Sequence, residues 1–239
     1  MTDNTLNPAG PVTSEATRWL ALGAVAGPAV FTLAWFILGF LSPGYTIFGT
    51  KIAPYSPISQ PISGLGMGPT APFMNAAFVL SGILLMAGMI GVFQTQTMRT
   101  SSRPAVRWAC AVLLAVSPLG VMIPGIFTLE DPLPHLVGFL LWTATPVISF
   151  LAAGLFLRGV PRWRRFGTWL LLGSPLTLVL VVLFFSTFDQ ATTAAGHGVA
   201  GLTQRILVTE VFAWFAAMGW LAFRRADQDA SSYAFPGKE

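Results

Sequence analysis

Few side chains in this sequence are equipped for chemistry, and most of them fall in its C-terminal half. Glu210 lies about five residues into the last long apolar segment if that segment opens at Arg205, roughly 7–8 Å along a helix axis. A carboxylate at that depth needs a partner, a proton or a water-filled pocket, and by default marks a functional site. Arg205 and Glu210 are five apart, so they do not stack as an i, i+4 pair, and each must find partners on other segments. The groups available are Glu130, Asp131, His135, Asp189, His197 and Lys51. His135 or His197 beside Asp131 or Asp189 suits general acid–base work. Two imidazoles with carboxylates also suit Zn or Mn, but no H-x-x-x-H or comparable ligand pair occurs, and no metal site is assigned. No serine or cysteine stands in a recognisable nucleophile motif, which argues against a hydrolase. Catalytic roles therefore fall to His135, Asp131 and Glu210, and ligand binding to Arg205, His197 and Asp189. The plainer alternative is capping: Pro134-His135 reads as a helix start that Asp131 caps.

The elements that must position these groups follow from composition. Of 239 residues, 54% are hydrophobic and 9% charged, against about 25% charged in a soluble domain. Lipid is then the solvent for most of the surface. A bilayer core of about 30 Å takes roughly 20 apolar residues per helical crossing. Six segments are long enough: Thr17 to Leu41, Ala71 to Thr95, Val106 to Phe127, His135 to Leu157, Phe166 to Phe188 and Arg205 to Phe223. The fold expected is an all-α bundle of six transmembrane helices over 17–224, with tails at 1–16 and 225–239.

Eleven of the thirteen basic residues fall on one side, among them Arg99, Arg103, Arg107, Arg158, Arg162, Arg164, Arg165 and Lys238; only Lys51 and Arg205 fall on the other. Basic loops stay in the cytoplasm, so both termini are expected there, in a prokaryotic inner membrane. The same placement explains the net charge of +4 without a nucleic-acid partner. Residues 1–16 carry no Lys or Arg and read as a disordered cytoplasmic tail rather than a signal peptide. Cys110 is the single cysteine, so no intrachain disulfide or cysteine-only metal site forms.

Among the outer connections, only residues 42–70 are long enough to form a cap. The apolar residues there, including Tyr45, Phe48, Tyr55 and Ile62, suggest a segment that lies on the membrane surface or dips between helices. Pro28, Pro118, Pro146 and Pro175 fall inside spans, and each frees a carbonyl four residues earlier. Gly23-Ala-Val-Ala-Gly27 admits a close helix, inside the bundle or across a dimer. Leu113-Leu-Ala-Val-Ser-Pro-Leu119 is echoed by Leu171-Leu-Gly-Ser-Pro-Leu176, each followed by an acidic residue and a histidine in an outer loop, as parallel repeats or chance would give.

The stretch Tyr55-Ser-Pro-Ile-Ser-Gln-Pro-Ile-Ser-Gly-Leu-Gly-Met-Gly68, then Asn75-Ala-Ala-Phe-Val-Leu-Ser-Gly82, resembles a bacterial and archaeal family of multi-pass membrane proteins, domain-of-unknown-function family 998. Ile62-Ser63-x-Leu65-Gly66 is the core of the likeness. Gly125-Ile-Phe127 leading to Asp131 and His135, and Gly201-Leu-x-x-Arg205-Ile206, extend it over about residues 18 to 224. Gly64 and Gln204 stand where the family pattern often has acids, which puts charge-dependent chemistry at those two points in doubt. The resemblance implies six helices, brings no activity, and adds Ser63 to the ligand-binding candidates.

Three functions remain open. The first is binding or processing of a lipid-like or isoprenoid-like molecule in a pocket open to the outer leaflet, with Arg205 on an anionic headgroup. The second is a small transporter, or a subunit of one, using Glu210. The third is an accessory protein that makes contacts through Gly23, Gly27 and the first outer loop. The sequence identifies no cofactor and leaves the oligomeric state open.

Overall fold

A computed structural model describes residues 15–52, 54–95 and 103–234, with side chains as far as Arg225. Residues 1–14, Arg99 and Lys238 lie outside the described residues. Six helical stretches are long and apolar enough to cross a membrane: Glu15–Leu41, Gly68–Gln94, Pro104–Ile126, Pro132–Arg158, Pro161–Thr187 and Ala200–Arg225. The first comprises α1 (Glu15–Ala21) and α2 (Gly23–Leu41); the second ends in α3 (Ala71–Gln94), and the third is α4 (Pro104–Ile126). The fourth is α5 (Pro132–Thr143) plus α6 (Thr145–Arg158), the fifth contains α7 (Arg164–Thr187), and the sixth opens α9 (Ala200–Ala234) after the short α8 (Gln190–Ala194). Glu15 is thus already helical, and the last helix runs past the membrane-length stretch to Ala234.

Each span packs on the next, and the sixth returns to the first, closing a ring. The seams are lined by glycine. A Cβ on Gly88 would stand 2.7 Å from Ala24 Cα, and one on Gly219 would stand 2.7 Å from Ala24 Cβ. Gly23 rests against the Leu84 carbonyl and Gly88, and Ser81 Oγ donates to the Gly27 carbonyl at 2.9 Å. Gly23 and Gly27 therefore serve internal packing, which removes them as a contact surface for a partner. Inside the ring, Phe31 meets Phe78, Trp142 and Phe212 edge-on at 4.8, 5.4 and 5.3 Å, joining four spans in one aromatic core. At the end away from the 42–70 connection, Arg18 lies 4.4 Å over Phe223 and Arg225 4.4 Å over Trp163.

Pro146 acts where a neighbour takes the carbonyl it frees. Pro146 sits just beyond the break at Ala144, and the carbonyl it leaves, on Trp142, accepts from Ser117 Oγ at 2.9 Å. Ser174 Oγ donates to the Val147 carbonyl at 2.6 Å. The two Ser-Pro echoes thus grip the fourth span on both sides of its break. Pro124 is a further helix-interior proline, in α4 beyond Pro118.

The 42–70 connection dips into the bundle and contains strands, which an all-helical reading omits. β1 (Tyr45–Ile47) and β2 (Thr50–Ile52) form an antiparallel hairpin about Phe48-Gly49. Both turn residues have positive φ, 47° and 77°, the combination that matches the twist of a two-residue hairpin. Short 3-10 turns, Ile62–Gly66 and Gly68–Thr70, lead into α3. Tyr45, Tyr55, Ile62, Leu65 and Met67 are buried, while Phe48 and Ile58 face outward. A Cβ on Gly64 would lie 2.7 Å from the Tyr45 ring, which fills the space a side chain at 64 would need.

Candidate functional site

The first turns of α9 bind this cap. Leu202 N–H donates to the Ile58 carbonyl at 2.9 Å, and Gln204 Oε1 accepts from Ile62 N–H at 2.6 Å. Arg205 Nη1 donates to the carbonyls of Pro57 (2.7 Å), Gln60 (3.1 Å) and Gly201 (2.9 Å). Nη2 donates to the Tyr55 hydroxyl at 2.6 Å, which donates onward to the Pro61 carbonyl at 3.1 Å. The guanidinium also covers the Trp35 ring at 5.1 Å. Gly201 is small because the cap backbone presses on it, with Pro57 O 2.6 Å from where a Cβ would be. A buried cation is here held by carbonyl dipoles and ring faces. Arg205, expected to meet an anionic headgroup, directs its terminal nitrogens into the cap. Burial raises the Tyr55 hydroxyl, with Arg205 opposing, and pushes Tyr45 up to about 12, so both phenols stay neutral.

Two of the predicted residues meet beneath the cap. Ser63 and His135 share the wall of a small cavity of about 10 Å³ with Gln204, Trp142, Phe78 and Phe139. His135 Nδ1 lies 3.0 Å from the Phe127 carbonyl. A carbonyl only accepts, so Nδ1 carries the proton and Nε2 of the neutral ring is left as an acceptor.

Asp131, Asp189 and His197 do not join them; all three are exposed. Asp131 precedes α5, yet its side chain makes no capping bond. Pro134 removes the third helical amide as a capping partner, which leaves only Leu133 N–H in the first turn. The helix accordingly opens at Pro132 rather than at Pro134-His135. Asp189 is a cap, with Oδ1 accepting from Thr192 N–H at 2.7 Å. The Thr192 hydrogen bonds hold its carboxyl below the usual range. His197 contributes its backbone N–H to the Thr192 carbonyl at 3.0 Å. Among the described residues, no three His, Cys, Asp or Glu side chains group closely enough to hold a metal ion.

Glu210 occupies a separate place. Because α9 begins at Ala200, Glu210 is ten residues in, roughly 15 Å along the axis and near the middle of a bilayer core. Thr177 Oγ1 approaches both carboxyl oxygens, at 3.1 and 2.9 Å, and Trp214 Nε1 donates to Oε1 at 2.6 Å. Trp214 fits because residue 173 is glycine, where a Cβ would stand 2.7 Å from Nε1 and Cε2 of the indole. Among the described residues, no cation pairs with Glu210. The carboxyl forms part of a groove of about 390 Å³ on the outward face of the sixth span, with Arg205, Ile206, Thr209 and Ala213. Thr177 and Trp214, the partners of Glu210, escape a sequence reading, whereas Tyr55 and Gln204 stand out in the sequence without their roles in binding the cap. Only Trp214, four residues beyond Glu210, carries a signal in its spacing.

The sequence matches the family described as "Protein of unknown function (DUF998)" over residues 25–221. No curated protein and no solved structure matches the chain.

Proposed function

We propose, for a chain that belongs to the DUF998 family of proteins of unknown function, that this multi-pass membrane protein binds a lipid through the groove on its sixth span. The ligand class is an amphiphile with a long apolar chain and a hydroxyl end, such as an isoprenoid alcohol. The observation that carries this reading is Glu210: a carboxyl at mid-bilayer depth, held among the described residues by the neutral donors Thr177 and Trp214, in an open groove. The groove of about 390 Å³ is open and lined by one helix, so an occupant would lie along the span with its apolar chain against lipid. The carboxyl can accept a further hydrogen bond there from a hydroxyl, whereas an anionic headgroup would meet like charge or an unsatisfied acceptor. Arg205 supports the site from above by holding the cap. With the basic loops in the cytoplasm, the groove and cap face the outer half of a prokaryotic inner membrane.

The test is thermal stabilisation of delipidated protein by a long-chain isoprenol, its phosphate ester and its methyl ether. The alcohol alone should stabilise, and Glu210→Leu should abolish the effect without changing expression. Equal stabilisation by the methyl ether, or full retention in Glu210→Leu, would overturn the reading. Lys51→Cys, reacting with an impermeant thiol reagent on intact cells, tests the orientation; labelling only after lysis would reverse it.

A further inference from the structure

The cavity beneath the cap is independent of the groove on the sixth span, and we infer that it is a binding site for one ordered water that joins the cap to the bundle. Its size is the first argument: about 10 Å³ corresponds to a single water. The second is the polarity of its wall. Gln204 is 4% exposed and its Oε1 is taken by Ile62 N–H, so its amide NH₂ is a donor left over. His135 offers Nε2 as an acceptor because Nδ1 faces the Phe127 carbonyl. Ser63 brings a hydroxyl that can do either.

Trp142 points the same way. Its indole is 2% exposed and belongs to the same wall, yet Nε1–H has no hydrogen-bond acceptor among the described residues. Buried N–H groups without an acceptor are rare in folded proteins, and an internal water is the usual remedy. Donors on Trp142 and Gln204, an acceptor on His135 and an amphoteric hydroxyl on Ser63 complement a molecule that both donates and accepts. A cation would face the two N–H donors, and an anion of ordinary size would not fit. The four residues come from the cap, the fourth span and the sixth, so the water would tie together three parts of the chain that are remote in sequence.

The test is an electron cryo-microscopy map of the protein in nanodiscs, at a resolution that shows other internal waters. A peak within hydrogen-bond distance of at least two of Trp142 Nε1, Gln204 Nε2, His135 Nε2 and Ser63 Oγ is expected. No peak there, with other internal waters visible, overturns the inference. Pulsed hydroxyl-radical labelling gives a second readout, because a bound water delivers radicals to buried neighbours. Phe78, 2% exposed and in the cavity wall, should label, whereas Phe150, 0% exposed and elsewhere in the core, should not. Equal labelling of the two sinks the proposal. Ser63→Val, which fills the cavity, should bring Phe78 down to the level of Phe150, and the wild-type contrast stands even if that variant does not fold.

Discussion

Replacing Arg205 by methionine keeps a long, unbranched side chain at that position but removes every donor Arg205 sends into the cap, along with the cation over Trp35 and Tyr55. Three of its four hydrogen bonds reach the cap, to Pro57, Gln60 and Tyr55, and the fourth returns to Gly201 in the same helix. A net hydrogen bond contributes about 1 kcal/mol and more when one partner is charged, so losing three costs about 3–5 kcal/mol. In a domain of this size, each kcal/mol moves the midpoint by about 2–4 °C, which predicts a fall on the order of 10 °C. Thermal unfolding in mild detergent, followed with a thiol dye that reads the exposure of Cys110, measures it. A second readout separates loss of the clamp from general damage. Lys51 is exposed on β2, so trypsin should cut there only once the cap lifts from the bundle. Arg205→Met should become tryptic-sensitive at Lys51 well below its own unfolding midpoint, and Arg205→Lys should fall between it and the wild type. A midpoint within 2 °C of wild type, a shift corresponding to under about 1 kcal/mol, with no new cleavage would refute the assignment of Arg205 as the clamp.

Three further outcomes follow from the geometry. Gly173→Ala should displace the Trp214 indole from Glu210, since the new methyl would stand 2.7 Å from Nε1; loss of isoprenol stabilisation, with the fold retained by circular dichroism, is the expected result. Phe48→Asn should stabilise the hairpin by about 0.5–1 kcal/mol, because asparagine tolerates the left-handed conformation that Phe48 holds at φ 47°; an unchanged or lower midpoint counts against it. Tyr45 shifts from 10.0 to about 12 on folding, so above pH 10 the unfolded chain ionises while the cap keeps the phenol neutral. Cap stability is therefore complete below pH 10 and falls as pH rises towards 12. The thermal midpoint should fall over that window and do so less in Tyr45→Phe.

The spans are legible in the sequence because a bilayer imposes one length on every crossing, and no segment escapes that constraint. Their ends are less so. The sixth was expected to open at Arg205, but Thr203, Gln204 and Arg205 are helical and buried, their polar groups taken up by the cap and neighbouring helices. That single offset doubles the depth of Glu210. Sequence reasoning placed seven site candidates on one side of the membrane, and the structure sorts them by packing rather than by type. His135 and Ser63 meet, Arg205 and Glu210 border the groove, and Asp131, Asp189 and His197 stay exposed in connections. The hairpin was missed because Phe48-Gly49 lacks the asparagine or aspartate that usually announces such a turn. Ser117 and Ser174 were visible as an echo, but their common partner, the broken fourth span, becomes apparent only in three dimensions.

The clamp between the cap and the sixth span also imposes an order on biogenesis. Arg205 and its cap partners are 145 to 150 residues apart. At a synthesis rate of about 5–20 residues per second, the cap leaves the ribosome on the order of ten seconds before the residues that fasten it. Through that interval the ring of helices lacks its closing member, and the carbonyls of Pro57 and Ile58 lack the donors that the last helix supplies. A chain that stalls before Ala200 therefore presents a loose cap to proteases, while a complete chain conceals it. Protease resistance of the cap is therefore expected to appear only once the last helix has inserted.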